Sequence, residues 1–470
     1  MRYQPAVKEL FIKNRKKLTD LLPGACMAVI CSGERIMRNG ENPYPFRQNS
    51  DFFYLTGIDQ EHSILLIWKY PGKDGWDEIL FILKPDEKLE TWEGKKLAPE
   101  EAQQLSGIRT IRWMDDFGSV FHKMTGSLEV IFVNAELPAS DNEPRFVSER
   151  NIPDRNYPIS SNKDSKGITG EPVHPAKAIS LKHFPGIQFM DGRLAEQLKL
   201  IYPGRKLASL APLMRQLRLV KEPEEIEMIR KACSVTREAF LAVLDCVRPG
   251  MKEYEAEAVI TGEFIRRGAA GHAFQPIVAS GANACVLHYN GNDGVCRDGD
   301  LLLMDFGAEY GNYASDCSRT IPVNGKFSER HKELYLSVLR VFRKAMLLMI
   351  PGTTIAEIQQ VVCRFLEKEH VKQGLYTLQD LKNQDPASKL VNKFFPHGVS
   401  HYMGLDVHDM GEKNIKLVPG MVITCEPGIY IPSEGIGIRL ENDILITENG
   451  PVDLMADIPI EPQEIENLLK

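Results

Sequence analysis

The sequence predicts an α/β (α+β) protein in two parts, a mixed α/β domain over residues 1–212 and a more regular domain over 213–470. Three observations predict it. Short apolar runs of strand length punctuate the first part, among helical stretches. Near Arg215 the pattern changes to long helical periodicity. The second part then shows one order of elements (helix, helix, hairpin) twice over, which predicts two similar halves related by an internal pseudo-two-fold axis. For a chain of 470 residues, two large domains serve as well as three smaller ones.

In chain order, a charged amphipathic helix fits residues 7–22 and stops at Pro23-Gly24. The runs at 26–31, 52–55, 64–70, 79–83 and 130–133 have the length and β-branched content of strands. Between 138 and 174, Pro, Asn, Ser and Asp dominate without periodicity, which predicts a long surface loop or insertion. Pro223, with Glu224 and Glu225 at the positive end of the helix dipole, opens a helix that ends at Pro249-Gly250. A second helical pattern covers 253–267. The signature then returns: a helix from Ser328 ends at Pro351-Gly352, and Thr354 with Glu357 forms a capping box for the next.

Composition narrows the function. Lys and Arg number 57 against 64 Asp and Glu, a net charge of −7 with no long basic run, which argues against a nucleic-acid partner. The hydrophobic fraction of 43% supplies a sizeable core. The most apolar helical stretch, 338–350, is broken by Arg340, Arg343 and Lys344, so no membrane span is expected. The N-terminus lacks the apolar core of a signal peptide. Nine cysteines without a C-x-x-C pair predict reduced thiols and a cytoplasmic protein.

The chemistry is carried by acids on the two hairpins. In the first, Asp305 follows four apolar residues, and the chain turns near Tyr310-Gly311-Asn312 towards Asp316. A turn centred between Tyr310 and Gly311 sets Asp305 directly opposite Asp316. In the second, a turn at Ser433-Glu434 sets Glu426 opposite Glu441. Like charges facing each other across a strand pair are destabilising unless a cation lies between them. One such pair is read more economically as solvated acids, but two pairs in matching halves favour metal. Residues 397–409 add His397, His401 and His408, three of the eleven histidines, in a Gly-containing extended segment. One imidazole with four carboxylates makes an oxygen-rich site for two divalent ions. That donor set favours Mn2+, with Zn2+, Co2+ or Fe2+ also compatible. A hydroxide bridging two such ions is a nucleophile at neutral pH, so the implied chemistry is hydrolysis.

The order Asp305, Asp316, His401, Glu426, Glu441 resembles the metallopeptidases of the pita-bread fold, which include methionine aminopeptidase, prolidase and aminopeptidase P. The likeness runs over residues 215–447. The segments H-G-V-S-H-Y-M-G-L-D-V-H-D (397–409) and S-D-C-S-R-T-I-P-V-N-G-K-F (315–327) are most similar to aminopeptidase P and prolidase. The stretch Y-P-F-R-Q-N-S-D-F-F-Y-L-T-G (44–57) is similar to bacterial aminopeptidase P, in a domain that methionine aminopeptidase lacks. The resemblance therefore implies an Xaa-Pro aminopeptidase acting on peptides with proline in the second position, as a homodimer or homotetramer. It implies that Asp316 and Glu441 bridge the two ions, with Asp305 completing one site and His401 and Glu426 the other. Glu426 would shuttle the proton, and His408 would stabilise the tetrahedral intermediate. His288 and His397 would line the proline pocket, and Arg439, supported by Tyr430, would hold ligand carboxylates.

Two departures accompany the likeness. Glu41 stands where bacterial enzymes carry an aspartate near the substrate's amine, and the 138–174 region is longer than theirs. Prolidase, restricted to Xaa-Pro dipeptides, shares the metal set and is the nearest alternative. A non-catalytic peptide-binding module of the same fold, lacking the metal acids, is the remote one.

Overall fold

The structure, a computed structural model, describes residues 3–70, 75–126, 128–134 and 193–469. The 138–174 segment lies outside the described residues. The chain divides into two compact units, one of residues 18–52 and 58–212, the other of residues 1–17, 53–57 and 213–470.

The first unit is built on six strands: β1 (Cys26–Cys31), β2 (Ile64–Lys69), β3 (Asp77–Ile82), β4 (Ile111–Trp113), β5 (Val130–Val133) and β6 (Lys206–Ser209). They form one mixed sheet in the order β4-β3-β2-β1-β5-β6. The meander β1-β2-β3 is antiparallel, and β4, β5 and β6 add in parallel. Strand β1 is buried at every position, as expected of a central strand covered on both faces. Val29, Leu66, Phe81, Phe117, Phe121 and Ile131 form the core on one face.

One expectation fails here. Residues 52–55, expected as a strand, lie in the helix Ser50–Thr56. The Phe52 N–H donates to Asn49 Oδ1 at 3.0 Å, which caps the helix start. Gly57, at φ +66°, closes its C-terminus.

The second unit carries the repeated order. Helices α1 (Pro223–Cys246) and α2 (Glu253–Arg266) precede the first hairpin, and α3 (Glu329–Met346) and α4 (Ile355–Lys372) precede the second. Their starts are fixed by side chains reaching back to the backbone. Glu225 accepts from the Glu222 N–H at 2.9 Å, Glu255 from Lys252 at 2.6 Å, and Glu357 from Thr354 at 2.9 Å. Each apolar helix face packs towards the sheet: Ile229, Ala232, Phe240 and Val243 on α1, and Leu334, Val338, Val341 and Phe342 on α3, are buried.

Strands β7 (Ile277–Ser280), β8 (Leu301–Phe306) and β9 (Cys317–Pro322) form an antiparallel sheet with β8 central. The register of this hairpin differs from the expected one. Tyr310 pairs with Tyr313 and Asp305 with Ser318, so the turn is Gly311-Asn312. Both turn residues are left-handed, at φ +59° and +65°, which matches the right-handed strand twist of a two-residue hairpin. Asp316 therefore stands diagonal to Asp305 and two residues before its partner. An even offset leaves both on one face. At Gly307 the two arms pinch together, where a Cβ would lie 1.7 Å from the Ser315 carbonyl oxygen. Gly307→Ala is expected to open this pinch at a cost of at least about 1–3 kcal/mol. Urea unfolding checks it, and an unchanged midpoint would contradict the close approach.

The second hairpin keeps the expected register. Strand β10 (Val422–Cys425) pairs with β13 (Asn442–Thr447), and β11 (Gly428–Ile431) with β12 (Ile436–Arg439). Cys425 faces Asn442 and Gly428 faces Arg439, so Glu426 and Glu441 are opposite each other. The hairpins are stitched together by backbone, the Glu441 N–H donating to the Ser318 carbonyl at 3.1 Å. Arg319, fully buried, donates to the carbonyls of Ser318, Glu441, Ile458 and Pro459 across the same seam.

Candidate metal centre

The acids from both hairpins meet the histidine segment at one cavity of about 560 Å³, lined by Asp305, Asp316, Glu426 and Glu441 and by His288, His397, His401 and His408. The segment is extended because it adds a partner to β10. Tyr402 bridges Ile423, the Thr424 N–H donates to the His401 carbonyl at 2.9 Å, and the His401 N–H to Thr424 Oγ1 at 3.1 Å.

Asp316, His401 and Glu441 each offer a donor atom within 4.8 Å of the others. His401 Nε2 is 3.3 Å from Asp316 Oδ2 and 3.8 Å from Glu426 Oε1. Its Nδ1 lies 3.1 Å from the Tyr402 carbonyl, which can only accept, so Nδ1 carries the proton and Nε2 offers a lone pair. Oδ1 of Asp305 and Oδ1 of Asp316 are buried with no hydrogen-bond partner. Burial first, then the Glu441 and Asp305 carboxylates, push Asp316 well above the usual carboxylate range. Burial, then Glu426 and Asp305, do the same to Glu441. Clustered buried acids with orphaned oxygens need a cation, and one imidazole lone pair completes a suitable donor set. The residues fit a divalent metal centre.

Glu426 behaves oppositely. Burial would raise its pKa, but the hydrogen bond from His397, with His401 and the Arg439 guanidinium nearby, holds it below the usual range. The His397 tautomer follows from donor counting. Arg439 can only donate, so the Tyr430 hydroxyl accepts from Nη1 at 2.8 Å and gives its own proton to His397 Nε2 at 2.8 Å. His397 Nδ1–H is then free for the Gly398 carbonyl at 2.8 Å and Glu426 Oε2 at 3.4 Å.

Arg439, 5% exposed, grips the site from behind. Its Nη2 donates to Asp305 Oδ2 at 2.5 Å and its Nε to Ser318 Oγ at 2.8 Å. Ser318 passes its proton to Glu441 Oε2 at 2.7 Å. Sequence reasoning missed Ser318, although it lies two residues after Asp316 and so on the same strand face. It also missed Gln275, Asn290 and Lys413, which line the cavity without a motif to mark them. The His408 ring lies against that of His401, centroids 4.1 Å apart and planes tilted by 44°. Burial and the His401 ring lower its pKa. Glu41 belongs to the other unit, where it occupies an exposed turn. Cys317 and Cys425 are fully buried, and burial pushes the Cys317 thiol up to about 12.

Four acids, two of them buried, and an imidazole on this doubled helix-and-hairpin frame make a centre suited to metal-dependent hydrolysis. Residues 227–448 match the model of metallopeptidase family M24, and residues 11–132 that of the aminopeptidase P N-terminal domain. The chain is 33% identical to the Xaa-Pro aminopeptidase of Escherichia coli (strain K12) over 98% of both chains. It is 30% identical to Xaa-Pro aminopeptidase 3 of Homo sapiens, over 94% of this chain and 80% of that one. The structure of E. coli aminopeptidase P with the inhibitor Pro-Leu matches with a TM-score of 0.81 at 31% identity, covering 99% of each chain. The chain belongs to the aminopeptidase P members of metallopeptidase family M24, a fold of the pita-bread type with metallo-aminopeptidase activity. Family membership implies divalent metal ions. Among the described residues, no helix is long and apolar enough to cross a membrane.

Proposed function

We propose that this protein removes the N-terminal residue from peptides whose second residue is proline, using two divalent metal ions, with Mn2+ the best match to the donors. The observation that carries the reading is the Asp316–His401–Glu441 cluster, with the orphaned buried oxygens of Asp316 and the adjacent Asp305, at the wall of a peptide-sized cavity. Four carboxylates and the His401 imidazole line that cavity, more donors than one ion needs, which supports two ions. When bound, the ions supply a water-derived nucleophile at neutral pH.

The remaining steps fall to side chains. On family resemblance, Asp316 and Glu441 would hold both ions, Asp305 would complete one site, and His401 and Glu426 the other. Glu426, kept ionised by the His397 N–H and the Arg439 charge, takes the proton from the attacking water and delivers it to the departing proline nitrogen. His408 donates a hydrogen bond to the oxygen that gains charge as the carbonyl carbon becomes tetrahedral. His288 and His397 form the wall against the proline ring, and Tyr430 fixes the tautomer of His397. Arg439 holds Asp305 and, through Ser318, Glu441. Glu41 is assigned to the substrate's amine on family resemblance alone.

On the same grounds residues 1–212 are read as the N-terminal domain, 213–470 as the catalytic domain, and the assembly as a homodimer or homotetramer. Nine free cysteines, several deeply buried, support a reducing, cytoplasmic setting.

The test is a matched pair of substrates given to the Mn2+-loaded protein, an Xaa-Pro dipeptide and an Xaa-Pro-Xaa tripeptide. Release of the first residue from the tripeptide is expected. Turnover of the dipeptide alone would make it a prolidase, and no cleavage of either with metal bound would refute the substrate class.

A further inference from the structure

His408 is assigned a demanding task in the reading above, yet its ring makes no hydrogen bond to any described residue. Its one ring contact among the described residues is with His401. Nothing attached to the imidazole itself fixes where it points, so its position must come from the backbone that carries it.

That backbone is gripped at both sides. Arg218, 2% exposed, directs one guanidinium nitrogen at two carboxylates. Its Nη2 donates to Asp406 Oδ2 at 2.6 Å and to Asp409 Oδ1 at 2.6 Å. The two hydrogens of that nitrogen thus staple the loop Asp406-Val407-His408-Asp409 into a closed ring. The Lys221 ammonium lies 3.5 Å from Asp409 Oδ2, and the Asp409 N–H donates to the Tyr402 carbonyl at 2.9 Å. Gly404 leaves the necessary room, since a Cβ there would meet Asp409 Oδ2 at 2.4 Å and Lys221 Cε at 2.8 Å. The His401 backbone has its own bonds to Thr424. The Tyr402 carbonyl is shared, taking both the Asp409 N–H and His401 Nδ1, so bound metal is the control that separates a shift of His408 from a shift of His401.

We propose that Arg218 is a positioning residue for the reaction: by pinning Asp406 and Asp409 it aims the His408 imidazole at the substrate carbonyl. This rests on the role given to His408 above. An imidazole misplaced by about 1 Å can lose about 10²-fold in rate.

The test is a double-mutant cycle on the metal-loaded enzyme with a tripeptide substrate, read as kcat and KM separately, with bound metal and Tm measured alongside. Arg218→Met is expected to lower kcat about 10²-fold, with KM and metal content unchanged. Asp406→Ala removes the Arg218 contact on the half-exposed side and leaves the buried Arg218–Asp409 pair in place, so it serves if Arg218→Met fails to fold. It is expected to lower kcat about tenfold. In a His408→Ala background neither change should lower kcat further. Multiplying losses in that background, or a loss confined to KM, metal content or Tm, would overturn the proposal. If His408→Ala alone retained full kcat, the catalytic role of His408 would fall as well, and the single-mutant rate separates that outcome from the first.

Discussion

Asp316→Asn is expected to abolish peptidase activity and bound metal while making the metal-free protein more stable than the wild type. The two effects share one cause. Asp316 is 5% exposed and stands among Asp305, Glu426 and Glu441, with Oδ1 unpartnered. With a cation present, its charge is the attraction that holds the ion. Without one, burial and the neighbouring carboxylates push its pKa well up, and Glu441 responds in the same way. An acid whose folded pKa lies above its unfolded value of about 3.9 favours the fold while protonated. Stability then falls as pH rises from the unfolded value through the raised folded one. The metal-free wild type should therefore gain stability as pH drops from about 8 to about 5, and Asp316→Asn should show a smaller slope. Saturating Mn2+ should reverse the order of the two proteins, because only the wild type gains from binding. Thermal unfolding with chelator and with metal, at two pH values, tests this directly. A metal-free Asn variant less stable than the wild type at pH 8 would contradict the electrostatic account.

The second large effect is expected at Arg439. Its guanidinium bonds Asp305, Tyr430 and Ser318 at once, and through Ser318 it orients Glu441. Arg439→Met leaves the Asp305 carboxylate buried without its counter-charge, a loss of about 3–5 kcal/mol. Arg439→Lys should recover little, since one ammonium cannot present a planar fork to three partners. Activity should fall in both variants, with the His397 tautomer no longer enforced through Tyr430. Asp305→Asn added to Arg439→Met should recover stability without recovering activity. Urea midpoints and bound-metal content for the single and double variants decide the matter. Full additivity would show that the pair is not coupled.

The second hairpin was legible in the sequence because its loop from Pro432 ends in Gly435, which is left-handed at φ +66°, and no bulge intervenes before Glu426 and Glu441. The first was misread by two residues, because Asn312 accepts φ +65° as readily as a glycine and so moves the turn along the chain. Residues 52–55 misled for another reason. An apolar run of strand length carries no period of its own, and the deciding signals were Asn49 before it and Gly57 after it. The four acids and His401 could be picked out by type and local context. Ser318 and Arg218 could not, because their partners Glu441 and Asp409 lie 123 and 191 residues away along the chain. Side-chain networks that close over such separations leave no local pattern to read.

The stitch between the hairpins also sets an order of events in folding. Glu441 reaches Ser318 across 123 residues, and Thr320 reaches Arg439 across 119. Contacts so distant in sequence are slow to form, because chain entropy is lost before they reward it. Of the candidate donors on the two hairpins and the histidine segment, the first helix pair and hairpin carry only Asp305 and Asp316. Every later donor arrives with the second half, so a partly folded chain has no means of cutting peptides. Latency is thus built into the topology, and no separate inhibitory segment is needed to keep the unfinished enzyme silent.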